Sequence, residues 1–372
     1  PLLTEFASKI SQNEQLFSRI KKVYDEKDQY SLNEEQKMLL EETYKGFVRN
    51  GALLNDEKKE QLKNINIELS KKSLQFGQNV LAATNQYFKH LTNKEDLAGI
   101  PEAILAQYEE EAKERNLEGY VITLQFPSLL PVLTYAENRE LRKELAIANG
   151  KKSFDGGEFD NQNLIKELVQ LRQEKAQLLG YKSFADYVLE ERMAKSPQKV
   201  LEFLNELLTK AKPFAQKDVE ELSVLAKTDG ITEMQSYDHA YYAEKLRKQK
   251  FDFNDEELKP YFQLDKVQEA VFGLAGKLFG LEFVETSDIQ KYHADVKTYE
   301  VLEVGSQKSE DGSFKALLYA DYHPRKGKRA GAWMTSFKNQ YIKNGENHRP
   351  HISVVCNFTK PTSETPSLLT FN

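Results

Sequence analysis

The sequence predicts a mainly α protein with a small β-sheet near its C-terminus. Three observations carry that reading. Apolar residues recur at helical spacings through the first three-quarters of the 372 residues. Capping residues, glycines and prolines fall where those stripes begin and end. From Val296 onward the pattern changes to short β-rich runs separated by Gly, Asp and Asn.

In chain order, a helix is expected from Leu32 to Arg49. It opens on Asn33 and Glu34 and carries Met38, Leu39, Tyr44 and Phe47. After a turn at Gly51, Leu62, Ile65, Leu69, Phe76 and Val80 fall on one helical stripe. Asn55 is its expected N-cap, and Asp56 and Glu57 suit the positive end of the helix dipole. A helix over 56–88 would be about 50 Å long at ~1.5 Å per residue, and with its predecessor it would form an antiparallel hairpin. The β-branched run Tyr120–Leu124 reads as extended. Another helix is expected from Pro131 through Asn138 to Ala148, followed by a turn cluster at Lys151–Gly157. The next helix runs from Asn161 to Leu179 and ends at Gly180, where a left-handed cap is easy.

Ser196-Pro197 is a helix start, a hydroxyl cap followed by proline at the first helical position. Leu201, Leu204, Leu208 and Ala211 continue its stripe until Pro213, which should kink or divide it. Asp238 is expected to cap a helix bearing Tyr241, Tyr242 and Leu246. Phe272–Phe279 reads as a buried helix ended by Gly280. Strands are expected around Tyr299, Val301 and Glu303, over Phe314–Tyr322 and over Ile352–Phe358.

Composition narrows the function classes. The length suggests roughly two or three domains. Charged residues make up 30% and hydrophobic ones 40%, an ordinary globular balance. A net charge of −6 set among 52 basic and 58 acidic groups forecasts solubility rather than a partner, and a nucleic-acid binder would more often be basic. The run Arg325–Arg329 is too short to reverse that. Cys356 is the only cysteine, so an internal disulfide is ruled out, which fits a reducing compartment. No run of 18 apolar residues occurs, which argues against a membrane span. The chain opens on Pro1 with no basic-then-apolar leader, the pattern of an internal piece of a longer protein.

Candidate chemistry is sparse. Of the six histidines only His348 and His351 are close together, and Pro350 between them argues against a helix that would present both to one metal ion. Cys356 lies in an apolar strand-like run, where cysteine usually packs as a small hydrophobe, although a dyad with His351 or His323 stays open at this level. Lys326–Gly331 lacks the spacing of a phosphate loop, and no Gly-x-Ser-x-Gly elbow is present. Gly331-Ala332-Trp333-Met334 has two readings. Two small residues suit an edge strand that pairs with an extended peptide; the plainer reading is a glycine bend with a core tryptophan.

The run Tyr319–Met334, then Ile352–Phe358, then Pro366–Asn372 resembles the segment leading up to the zinc-binding helix of the thimet-oligopeptidase and peptidyl-dipeptidase family of metallopeptidases. The resemblance extends back to Pro1–Phe6 and passes through Phe47–Ala52, Pro131–Arg139, Leu171–Tyr181, Arg192–Pro197 and Asp238–Tyr242. Gly331–Met334, Arg349-Pro350 and Val355–Pro361 look more like the bacterial branches, and among those more like peptidyl-dipeptidase than oligopeptidase A.

The resemblance implies a neurolysin-like, two-lobed helical enzyme that admits short unfolded peptides to a deep channel and cleaves them with a zinc-bound water. It also implies the organisation expected here: a helical lobe with a long hairpin over 1–195, a helical stretch of channel wall over 196–295, and a small mixed β region over 296–372. In the family a His-Glu-x-x-His helix would come next, and no such motif lies within the 372 residues. The expectation is therefore a fragment, inactive alone, with no catalytic residue and no metal ligand of its own; zinc belongs to the full-length parent. Gly331, Ala332 and Trp333 are the residues carried over, as the strand that aligns substrate. Expected partners are short unfolded peptides, with neither nucleic acid nor membrane, and the expected compartment is the cytoplasm, with the periplasm as alternative. Two rival readings are a fragment of an oligopeptidase A-like endopeptidase and a stand-alone helical peptide-binding protein without catalysis.

Overall fold

The computed structural model describes residues 2–251, 255–304, 314–362 and 366–369, so the last residues of the 366–372 run fall outside the described residues. Helices α1 (Leu2–Ser11), α2 (Glu14–Asp25), α3 (Glu34–Arg49) and α4 (Asp56–Gln86) lead into strand β1 (Phe88–Leu91). Helix α5 (Glu102–Glu114), strand β2 (Tyr120–Thr123) and helices α6 (Phe126–Tyr135), α7 (Arg139–Gly150), α8 (Gln162–Leu178), α9 (Phe184–Leu189) and α10 (Pro197–Thr228) follow. Then come α11 (His239–Phe251), α12 (Asp255–Leu258) and α13 (Leu264–Phe279). The remaining strands are β3 (Leu281–Glu285), β4 (Lys297–Glu303), β5 (Phe314–Asp321), β6 (Trp333–Lys338), β7 (Tyr341–Lys343), β8 (Glu346–His348) and β9 (His351–Val355). The mainly helical class with a small sheet near the C-terminus is what forms.

These elements divide into two units, one of Pro1–Ala83 with Lys152–Val219, the other of Thr84–Lys151 with Glu220–Asn372. In the first, Asn33 starts α3 with a capping box closed by Gln36, and the Asn55 carboxamide accepts from the Lys58 amide at the start of α4. The aromatic face of α3 finds its partners on α2: Tyr44 stacks on Tyr24 at 3.9 Å, and Phe17 faces both Tyr44 and Phe47. Gly51, at φ +88°, makes the turn after α3, and the Leu62 side chain fills the space a Cβ would need. A buried amide pair ties α4 to the start of α8, with Asn79 Nδ2 donating to Asn161 Oδ1 at 2.8 Å. Arg49, at the end of α3, lies over the Tyr187 ring at 4.4 Å and contacts Tyr181 and Glu190.

Two expectations about α10 need correction. Pro213 sits inside one continuous helix and does not divide it. The helix around it is solvent-exposed, so water can satisfy the carbonyl that loses its donor. The Leu201, Leu204 and Leu208 stripe, which should face a core, is 53–59% exposed.

In the second unit, Tyr108 and Leu105 of α5, Ile122 of β2, Leu129 and Val132 of α6 and Leu145 of α7 form one buried cluster. The helix expected to reach residue 88 stops at Gln86, and β1, not expected from the sequence, pairs antiparallel with β2. The single helix expected over 131–148 is two helices broken at Ala136–Asn138. Asn138 caps α7 by accepting from the Leu141 amide at 3.1 Å, and the buried Arg142 guanidinium accepts the freed end of α6 by donating to the Ala136 carbonyl at 2.7 Å. Asp238 caps not α11 itself but the 3-10 turn Ser236–Asp238 before it, where its carboxylate accepts from the Gln235 amide at 3.0 Å. It is fully buried, Arg139 grips both its oxygens, and Arg142 Nη2 donates to Oδ1 at 2.9 Å. Helix α13 is not buried as expected. Phe272 stacks on Phe283 at 4.1 Å, while Val271, Leu274, Leu278 and Phe279 are 57–72% exposed. Gly280 does end it, in the left-handed conformation.

The principal sheet has the order β3-β4-β5-β9-β6. Its pairs are antiparallel except β5–β9, which is parallel, so the sheet is mixed. Its core comes from Tyr299, Val301, Leu302, Leu317, Ala320 and Val355. Among the described residues β6 is an edge strand.

Replacing Asp238 by Ala leaves Arg142 buried and unpaired, and should cost about 3–5 kcal/mol. Urea unfolding followed by circular dichroism reads this, and a change under about 1 kcal/mol, the scale of a surface pair, would show that the two guanidiniums find other partners.

Candidate functional site

The end of β5 organises the region around β6. Asp321 closes β5 with 2% exposure, and burying a carboxylate requires compensating partners. Arg325 supplies a two-pronged pair, Nη1 to Oδ1 at 2.6 Å and Nη2 to Oδ2 at 2.8 Å. Lys328 Nζ donates to Oδ1 at 2.8 Å, and also to the carbonyls of Asp321 and His323. The Tyr292 hydroxyl donates to Oδ2 at 3.0 Å. Burial alone would raise this carboxyl; the hydrogen bonds from Arg325 and Lys328 outweigh it and hold the pKa at about 2. Two cations of the Arg325–Arg329 run thus turn inward to one aspartate, which is a structural use of a charge cluster.

This knot pins the loop that leads into β6. A second clamp acts at its far end: Asn357 Nδ2, just past β9, donates to the carbonyls of Arg329 at 2.9 Å and Gly331 at 2.7 Å. Gly331 has φ +101°, a conformation that favours glycine, and apart from its chain neighbours no atom of the described residues lies within 4 Å of where its Cβ would be. Glycine is thus required by its backbone angle, and the space beside it is open. Ala332 and Trp333 follow, both exposed, and Trp333 starts β6 opposite Val355. The bend in the plainer reading is present, but Trp333 is 38% exposed and is not a core residue.

From Trp333 to Ser336 the strand pairs with β9, and among the described residues with no other strand. A bulge between Ser336 and Lys338 then turns Phe337 edge-on to Tyr319 at 5.5 Å and Tyr292 at 6.0 Å. The result is an extended segment held at both ends, with a row of backbone groups free to pair. Sequence reasoning singled out Gly331–Trp333 and gave no role to Asp321, Lys328 or Asn357, which hold the loop before them. Asp321, Arg325 and Lys328 are spaced four and three apart, a visible signal, but nothing in the sequence says that the aspartate is buried. The β7–β8 hairpin was missed too, although Asn344-Gly345, both at positive φ, is its turn signal.

The other candidates do not assemble. His348 stacks on Tyr341 at 4.5 Å, with Nε2 3.7 Å from Glu346. His351 begins β9, and the Pro350 carbonyl before it accepts from the Leu317 amide. Among the described residues no three His, Cys, Asp or Glu side chains come together as a metal site. Burial pushes the Cys356 thiol up, away from the thiolate a nucleophile needs. Burial also lowers His323, whose buried Nδ1 has no partner among the described residues. Among those residues no helix is long and apolar enough to cross a membrane.

Residues 132–372 match "Peptidase family M3". Oligopeptidase A of Escherichia coli is 34% identical over 376 residues, which cover 100% of this chain and 54% of that protein. Probable cytosolic oligopeptidase A of Arabidopsis thaliana is 35% identical over 387 residues, with 100% and 54% covered. Dipeptidyl carboxypeptidase of Escherichia coli is 35% identical over 370 residues, with 99% and 53% covered. The chain spans about half the length of these relatives.

The Asp321 knot makes the site acid-sensitive. A carboxyl held at about 2 in the fold, against about 3.9 unfolded, contributes about 2.6 kcal/mol above about pH 5 and loses it as the pH falls through 2. Amide exchange over residues 325–331 should be flat from pH 5 to 8, after correction for intrinsic rates, and lose protection toward pH 2. Asp321→Asn should abolish that acid step; a step of unchanged size in the variant would assign it to another group.

Proposed function

The chain belongs to peptidase family M3, and from that premise we propose that it is part of a metallopeptidase acting on short unfolded peptides, to which it contributes the strand that aligns substrate. The open edge of β6 carries this reading. Gly331 and Ala332 lead into Trp333 at the start of this strand, whose other edge has no partner strand among the described residues, and the Asp321 knot and Asn357 fix their path. A peptide added to such an edge gains main-chain hydrogen bonds whatever its sequence, and exposed side chains such as Trp333 and Met334 add apolar contact. That combination suits an enzyme of broad peptide specificity.

Zinc is the metal the family implies. The side chains of the described residues do not fit it: the two neighbouring histidines are separated by a proline and engaged with Glu346, Tyr341 and the sheet. We therefore place the metal and the catalytic groups in a part of the protein outside these 372 residues, and read the chain as inactive alone. Removal of C-terminal dipeptides is the activity we propose for the whole enzyme; cleavage in the manner of oligopeptidase A is the second reading, supported by nearly equal identity to both kinds of relative. The cytoplasm is the proposed compartment, in keeping with a relative whose name includes "cytosolic".

Two experiments test this. The isolated chain should hold no stoichiometric zinc and leave a blocked oligopeptide intact; one tightly bound zinc per chain would sink the assignment of the metal elsewhere. Because Trp333 is the only tryptophan, its fluorescence reports directly on β6. An extended heptapeptide should shift it saturably, and the same peptide N-methylated at alternate residues should bind about tenfold more weakly through loss of main-chain hydrogen bonds. Equal binding of both peptides would rule out strand addition.

A further inference from the structure

A cleft of about 560 Å³ lies in the second unit, within the range of small-ligand sites. One side is built by the last two turns of α5, which present Glu110, Glu111 and Glu114. Other sides come from the loop after β5, with Lys326, and from the run after β9, with Lys360. Much of this charge is already committed. Glu111 pairs with Arg115, Glu110 with Lys113, and Arg325 at the cleft margin with Asp321. Among the described residues Glu114, Lys326 and Lys360 have no ion-pair partner, so an unneutralised carboxylate and two unneutralised ammonium groups share one concavity on separate elements. Glu114 also ends α5, where the helix dipole adds negative potential.

The lining also carries Asn85, Gln107 and Gln125. Each side-chain amide can both donate to and accept from a peptide group. A carboxylate, two ammonium groups and several amides lining one cleft suit a ligand that carries both charges and peptide groups. We propose that this cleft binds a short peptide with both termini free, its ammonium at Glu114 and its carboxylate at Lys326 and Lys360. The site is distinct from the β6 edge: it reads the ends of the peptide, whereas strand addition reads the main chain between them.

The test uses the ¹⁵N-labelled chain with tetra-alanine as the probe. Amide shifts should move at Glu114, Ser128, Lys326 and Lys360. N-acetylation or C-amidation of the probe should each weaken binding about fivefold, the upper end for a part-exposed ion pair. Glu114→Gln should remove the penalty of acetylation, and the Lys326→Ala, Lys360→Ala pair that of amidation. All three positions are exposed, so the fold should be unaffected, as circular dichroism will verify. Equal affinity for free and blocked peptides, or no saturable binding, overturns the proposal. Shifts confined to residues 331–338 would overturn it while leaving strand addition standing, and shifts in the cleft with a silent β6 would do the opposite.

Discussion

A single buried carboxylate governs the candidate site. Asp321 ends β5 inside the fold, and an unpaired charge there would cost several kcal/mol. The loop that follows must therefore fold back to bring Arg325 and Lys328 onto it, and Lys328 reaches two carbonyls of the same loop as it does so. The Asp321 carbonyl in turn accepts from the Cys356 amide beyond β9, which fixes where Asn357 begins its own contacts. The path of the backbone into Gly331 and β6 follows from that chain of contacts.

The same economy appears at Asp238. There, two arginines of α7 converge on one buried aspartate from a segment about a hundred residues away in sequence, and one of them also closes the broken end of α6. In both places a buried acid gathers bases from separate elements and sets a geometry that apolar packing, being non-directional, leaves loose. The edge strand needs such definition more than the helices do, since β6 is exposed from Trp333 to Phe337 and has a partner on one side only among the described residues.

Much of the helical architecture was readable, and the misreadings have physical causes. Asn33, Asn55, Ser196 and Gly280 act locally, through a side-chain cap or a backbone angle, so their roles appear in the sequence and again in the structure. Asn138 is also a good cap, yet it was read as interior to a longer helix because an apolar stripe on either side masks a three-residue break. The strand β1 was not anticipated because its partner β2 lies some thirty residues further on. The leucines of α10 and the outer face of α13 show that periodicity identifies an apolar face without saying what covers it.

The sequence by itself determined the helical class, the C-terminal sheet and the small residues at Gly331 and Ala332, because periodicity, capping and backbone freedom are short-range properties. It also carried the family resemblance and the absence of a zinc-binding helix motif from these residues. Only the tertiary structure decided that β6 lies at the sheet edge, that the basic run turns inward to Asp321, that Asn357 holds the Gly331 carbonyl, and that unpaired acid and base share a cleft. Each of those depends on contacts between residues distant in the chain, and burial, which sets their energies, is a property of the assembled fold.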